Sequence, residues 1–384
     1  MRLKIGLSEF KESIRFYEYM HRVVSKHINH QKDGEIVSKI REKYGGKKPV
    51  RYYKGHLMQL YRILTSYNFS IGFPIIQAYN PGVRLKNDSF EMIIRLGSIL
   101  GTRTFLGRTI IDNLGKDLFN EESLIPEIKF KTRLFMRGRL AYECLEDARF
   151  SPFDESIFFV NVLRGPGFPI HDMVITWMLK DEYVAPIMYN DLVLSDNRDS
   201  FSVSPKLMAI RPHYKLTCKN AIALGYIQKD EPNVVEEIFS HEFLMPNDYE
   251  EKTGSGVAVK IGEDEYMLIF HSVYKGKEGI KNKGTTGIYI NYAVILDTYG
   301  NIKAILRYPL TLTEYPYSGQ RPGTVFVSGA TIVNSSQANK LLPNLSEFVR
   351  DYNRLLVLFA GLDDESVGVF VQDLDKILEK MEWL

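Results

Sequence analysis

The sequence predicts an all-β fold made of many short strands. Two observations carry the prediction. From about residue 73 onward, short β-patterned apolar runs recur between turn signals, and few helical patterns interrupt them. Such a chain suits a sandwich, a barrel or a propeller and disfavours the βαβ units of a parallel sheet. With 384 residues, 45% of them hydrophobic, it can bury one large β domain or two smaller ones. No clean internal repeat is visible, so periodicity alone does not separate these architectures.

The elements follow in order. Residues 8–28 predict a helix: Ser8 can cap it, Glu9 and Glu12 sit near its positive end, and Phe10, Ile14, Tyr17, Val24 and Ile28 share a stripe. The polar stretch 29–34 breaks it, and a second helical pattern covers 54–66. Together these give a helical extension over 1–68, packed on the main domain or on a partner subunit, with 69–384 as the main domain. Strands are predicted at Phe90–Arg95, Ile157–Val162, Met267–His271, Ile288–Leu296, Leu355–Phe359 and Val367–Val371. A helix closes the chain near 371–382, where Val371, Leu374, Leu378 and Met381 share a face.

Composition excludes several classes. With 49 basic and 47 acidic residues the net charge is +2, which is no nucleic-acid or membrane footprint. The two cysteines, Cys144 and Cys218, are far apart, so a reducing compartment is expected. The N-terminus has no apolar signal core, and no apolar run is long enough to cross a bilayer. The expectation is a cytoplasmic protein. There is no Walker loop, no Gly-x-Gly-x-x-Gly after a strand and no Gly-x-Ser-x-Gly elbow. Neither a His-Glu-x-x-His helix nor a Cys-x-x-Cys pair offers a metal site.

Six short constellations could carry chemistry, and each alone also reads as ordinary structure. Asn80 precedes Pro81, which favours extended or turn geometry, and Arg95 ends an apolar strand where burial is costly without an anion. Glu146, Asp147 and Arg149 lie together; clustered acids can raise one another's pKa, as a general acid needs, or simply form a surface ion pair. Arg198 and Asp199 precede a second Arg-ending strand, Leu207–Arg211. Lys252 beside Gly254, Ser255 and Gly256 offers charge and close backbone approach to an anion, or an ordinary loop. His271 ends a strand, where a histidine is more often structural than catalytic. Asp363 and Asp364 follow another buried strand and also read as a polar turn.

In this order, from roughly residue 73 to residue 380, these segments resemble glycoside hydrolase family 130, the β-mannoside phosphorylases and related β-mannosidases. Glu146-Asp147-Ala148-Arg149 resembles the family's Glu-Asp-Pro-Arg motif, and Arg211-Pro212 its Arg-Pro strand end. Lys252-Thr253-Gly254 resembles its Lys-Ile-Gly turn, Phe270-His271-Ser272-Val273 its Tyr-His-Gly-Val, and the segment closing at Asp364 its Gly-Ala-Ala-Asp. The chain departs from the family at Ala148, at Ser272 and at 201–205, and a basic insertion runs from Lys275 to Gly284.

The resemblance implies a five-bladed β-propeller, here with an N-terminal helical extension and a C-terminal helix. It also implies inverting phosphorolysis of β-mannosides to α-mannose 1-phosphate. Asp147 would be the general acid, acting directly or through a sugar hydroxyl. Arg95, Arg198, Arg211, Lys252 and His271 would hold phosphate, while Asn80, Glu146, Arg149 and Asp364 would bind sugar. No metal or cofactor is implied beyond inorganic phosphate as co-substrate. The expected partners are an oligosaccharide and phosphate, and the helical front suggests a homo-oligomer. An inverting hydrolase would need a second carboxylate about 6.5–9.5 Å from the acid; Glu143, Asp199, Glu251 and Asp363 are candidates. Phosphorolysis needs cations around an anionic nucleophile instead, which suits the retained Arg, Lys and His positions. A propeller that has lost catalysis and serves as a sugar-binding or assembly module is the remaining alternative.

Overall fold

The computed structural model describes residues 28–31, 60–64, 75–98, 104–113, 142–164, 173–181, 183–194, 197–211, 221–244, 250–274, 288–306, 309–312, 324–343, 352–364 and 366–384. Strands β1 (Ile28–Gln31) and β2 (Leu60–Leu64) come first. With the described strands that follow, they make five sheets, the blades of a β-propeller. Blade I holds β3 (Ile75–Lys86), β4 (Ser89–Ser98) and β5 (Thr104–Ile111). Blade II holds β6 (Tyr142–Phe150), β7 (Ile157–Arg164), β8 (Met173–Lys180) and β9 (Tyr183–Pro186). In blade III are β10 (Met188–Tyr189), β11 (Leu192–Val193), β12 (Phe201–Ser204), β13 (Leu207–Ile210), β14 (Ala223–Gln228) and β15 (Glu231–His241). Blade IV has β16 (Glu250–Lys260), β17 (Tyr266–Tyr274), β18 (Ile288–Leu296), β19 (Ile302–Leu306) and β20 (Thr311–Leu312). Blade V runs through β21 (Val325–Asn334), α1 (Ser335–Leu341), β22 (Arg354–Leu362) and β23 (Ser366–Asp373); α2 (Leu374–Glu379) and β24 (Met381–Trp383) end the chain.

The six strand runs from Phe90–Arg95 to Val367–Val371 fall inside observed strands, Ile288–Leu296 matches β18 end to end, and Leu207–Arg211 overruns β13 by its arginine. The reason is burial on both faces. A blade strand is sandwiched between neighbouring blades, so it reads as a continuous apolar run. Phe90, Met92, Ile94 and Leu96 of blade I pack on Val357, Phe359, Val367 and Val369 of blade V. Phe90 and Phe359 meet edge to face at 5.2 Å. Replacing Phe359 by Ala would cost about 3–5 kcal/mol.

The ring is closed by the front of the chain. β2 pairs antiparallel with β23 and becomes the outer strand of blade V. Further in, Ser328 Oγ donates to the Pro81 carbonyl (3.0 Å), joining the inner strands of blades V and I. This corrects the helix expected over 54–66 for Leu60–Leu64. The free edge of β23 offers unmatched N–H and C=O groups, and satisfying them outweighs local helical preference. β1 likewise adds to β15, in parallel. The rest of both helices expected in the front segment lies outside the described residues.

The C-terminal helix is shorter than the expected 371–382. Gln372 and Asp373 still pair with β22, and the Asp373 side chain accepts the Lys376 N–H, so α2 begins after it. Met381–Trp383 returns to pair with β19 of blade IV. Among the described residues no helix is long and apolar enough to cross a membrane.

Candidate active site

The inner strands β3, β6, β12, β16 and β21 are each bulged, at Tyr79/Gly82, Glu146/Arg149, Ser202/Ser204, Ser255/Val257 and Val327/Gly329, and β3 and β16 have a second shift at Ile75/Gln77 and Glu250/Lys252. An extra residue breaks the two-residue alternation of a strand and re-aims side chains. At the first two bulges the turned residues are Asn80 and Asp147, with φ of 49° and 50°. Short polar side chains tolerate this left-handed backbone better than others. Asp199, immediately ahead of β12, and Asp363 and Asp364 in the β22–β23 turn share it.

One group of side chains surrounds Asp147. Asn80 Nδ2 donates to Asp147 Oδ1 at 2.8 Å, and Arg95 Nη1 lies 3.2 Å from the same oxygen. Arg95 Nη2 reaches Glu146 Oε1 at 2.8 Å, while Arg198 Nη1 approaches the other Glu146 oxygen at 3.8 Å. The Arg95 guanidinium also lies over the Tyr79 ring at 4.7 Å. Burial opposes ionisation of Asp147, yet the Arg95 and Arg149 charges and the Asn80 amide hold its carboxyl below the usual range. The Tyr79 phenol is pushed up by burial and stays protonated, with Arg95 opposing and Asp364, Glu146 and Asp147 adding to the shift. Asp364 thus acts on the same group from the β22–β23 turn.

A second group gathers near Gly254. A Cβ at Gly254 would lie 2.5 Å from His271 Cε1 and 2.7 Å from Arg211 Nη1, so only glycine leaves room for both. The His271 ring stacks on Tyr289 at 4.8 Å and meets the edge of Phe326 at 4.9 Å. Lys252 Nζ stands 5.9 Å from the Tyr289 ring centre. Burial, then Arg211, Lys252 and Arg149, drive the imidazole well below its ordinary value, so it is neutral. Its Nδ1 is buried with no hydrogen-bond partner among the described residues, as is Arg211 Nε. Arg211 Nη1 binds Asp199 Oδ2 at 2.7 Å.

The ten residues singled out from the sequence therefore fall into two adjoining groups. Asn80, Arg95, Glu146, Asp147, Arg198 and Asp364 form one; Arg211, Lys252 and His271 form the other. Arg149, fully buried, lies between them. The five expected phosphate ligands are not all together: Arg95 and Arg198 face Glu146 instead. Tyr79, Tyr289 and Phe326 were not assigned roles from the sequence. Among the described residues no three His, Cys, Asp or Glu side chains group as metal ligands.

No family model and no curated protein matches the chain. Solved structures do match its fold. A β-1,2-mannobiose phosphorylase from Listeria innocua, in complex with β-1,2-mannobiose, gives a TM-score of 0.54 at 14% identity over 84% of this chain and 99% of its own. The chain is similar in fold to a phosphorylase. A mannose phosphorylase from Leishmania mexicana, in complex with phosphate ion, gives a TM-score of 0.50 at 14% identity over 88% of this chain and 92% of its own. At that identity the likeness speaks for the fold alone.

Proposed function

We propose that the protein is a glycoside phosphorylase that cleaves β-mannosides with inorganic phosphate and releases α-mannose 1-phosphate. The observation that carries this reading is Arg211 and neutral His271 packed against Gly254, with the Lys252 charge acting on His271, beside the carboxylate group of the neighbouring blades. Converging cations, with Arg211 Nε and His271 Nδ1 buried and making no hydrogen bond among the described residues, suit an oxyanion. Two solved phosphorylases of the same fold, one in complex with mannobiose and one with phosphate, agree with it.

In this reading a phosphate oxygen forms the bond to the anomeric carbon as the glycosidic bond breaks. The departing oxygen takes a proton from Asp147, directly or through a sugar hydroxyl. Arg211, Lys252 and His271 hold the phosphate. Arg95 and Arg198 fix Glu146, and Arg95 also orients Asp147. Asn80, Asp364 and the Tyr79 phenol face the sugar, while Glu146 shapes that wall through its two arginines.

Asp199 favours a second reading. It is a buried carboxylate on the anion side and could serve an inverting hydrolase as base. Its pairing with Arg211 makes it better placed as a counter-ion than as a base facing water.

The test is release of sugar from a panel of β-mannosides with and without inorganic phosphate. Mannose 1-phosphate formed only with phosphate is the expected result. Free mannose at equal rates in both conditions would establish the hydrolase and turn attention to Asp199. No turnover of any mannoside would overturn both readings.

A further inference from the structure

We propose that Arg149 is a positioning residue that joins the two halves of the site, so that phosphate entering one half governs whether the Asp147 carboxyl in the other carries a proton. This inference rests on the phosphorolytic reading and adds a link which that reading does not require.

Arg149 heads the fully buried large side chains. It leaves β6 two residues after Asp147. Its Nε donates to the Gly256 carbonyl on β16 at 2.6 Å, and Nη1 donates to the Ala148 carbonyl at 3.0 Å. Nη2 lies 3.6 Å from Asp199 Oδ1 ahead of β12, and the guanidinium stands 4.9 Å from the Phe326 ring on β21. One side chain of blade II therefore touches blades III, IV and V. Nη2 makes no hydrogen bond among the described residues.

If bracing were its whole purpose, an apolar side chain would do it at lower cost, because a buried cation pays heavily for lost hydration. The charge is therefore the informative feature. The groups acting on Asp147 are Asn80 and Tyr79 from β3, Arg95 from β4 and Arg149 from β6, while Glu146 and Asp364 act on Arg95 and Tyr79 beside it. Of these, Arg149 also acts on the anion half, where Asp199, Arg211 and His271 feel its charge.

Arg95 and Arg149 hold Asp147 as a carboxylate. Phosphate bound beside Arg211 adds negative charge that offsets Arg149. Asp147 then binds a proton more readily, so the acid loads when the nucleophile is in place. The coupling is reciprocal: a protonated Asp147 tightens phosphate.

The experiment is calorimetric titration of the full chain with inorganic phosphate near pH 4.5, at the edge of the carboxylate range, in two buffers of different ionisation heat. The proton count on binding is compared between wild type, Asp147→Asn, Arg149→Gln and Arg149→Lys. His271 and phosphate itself also exchange protons, and the Asp147→Asn protein subtracts their share. Wild type is expected to take up more protons than Asp147→Asn. Arg149→Gln should lose that excess and bind phosphate about tenfold more weakly, whereas Arg149→Lys, which keeps the charge, should retain it. A merely bracing role would leave the excess unchanged in Arg149→Gln, which would overturn the proposal. Should Arg149→Gln fail to fold, equal proton counts in wild type and Asp147→Asn would still overturn it. Absence of any phosphate binding removes the phosphorolytic reading itself, and the link with it.

Discussion

Asn80 donates to Asp147 across the boundary between blades I and II, and the two residues occupy the same place in their blades. They are 67 residues apart in sequence, yet each sits on the bulge of an inner strand in left-handed backbone. One blade supplies an amide where the next supplies a carboxylate. The neighbouring Gly361 has no room for a side chain, because a Cβ there would overlap Asn80 Oδ1. The acid is thus oriented by a donor that is itself wedged in place.

Replacing Asn80 separates this hydrogen bond from backbone strain. Asn80→Ala should lose about 1–3 kcal/mol, since it removes the donor and forces alanine into a left-handed conformation. Asn80→Gly should recover most of that stability. Turnover should fall about tenfold to a hundredfold in both. Denaturant melts and steady-state rates check this, and wild-type turnover in Asn80→Gly would refute the orienting role.

His271 should leave a signature in the pH dependence of stability. Its imidazole protonates well below the ordinary 6.5 in the folded protein, so the unfolded chain binds the proton first. The stability contribution is complete above about 6.5 and drains as pH falls, by up to ~1.4 kcal/mol per unit. His271→Gln should flatten this slope. Urea melts at several pH values without phosphate would show it, and identical slopes in the two proteins would contradict a depressed imidazole.

Two glycine substitutions should separate the halves of the site. Gly254→Ala would drive a methyl into His271 and Arg211, so the phosphate KM should rise about tenfold or more with little change for the sugar. Gly361→Ala would displace Asn80 and should act on the sugar side and on kcat. Initial rates with each substrate varied in turn distinguish the two. Equal effects on both substrates from both variants would mean the halves are one undivided site.

Ring closure by β2 predicts that its backbone matters more than its position near the chain start suggests. Tyr61 pairs with Val369 and Arg62 with Gly368; because neighbouring N–H groups alternate between β23 and solvent, Tyr61→Pro and Arg62→Pro together remove a donor from the β2–β23 ladder. The melting temperature should drop by at least about 2 °C. An unchanged melt would mean that the pairing does not hold the ring.

What the sequence determined by itself is the content of the strands and the kinds of charged residue that end them. Strands buried on both faces, such as β18 and β22, read as apolar runs without help from the rest of the chain. Arg95, Arg211 and His271 stood out because polar groups at the ends of such runs must find partners. Only the tertiary structure decided which partners those are. Arg95 turned to Glu146 and Asp147, Arg211 to Asp199, and Arg149 to a carbonyl 107 residues away. An electrostatic partner is chosen by distance in space, and in a propeller that distance is set by which blades adjoin. The same reason explains β2: its strand conformation is imposed by the edge of β23, a segment some 300 residues further along the chain, so nothing local could announce it.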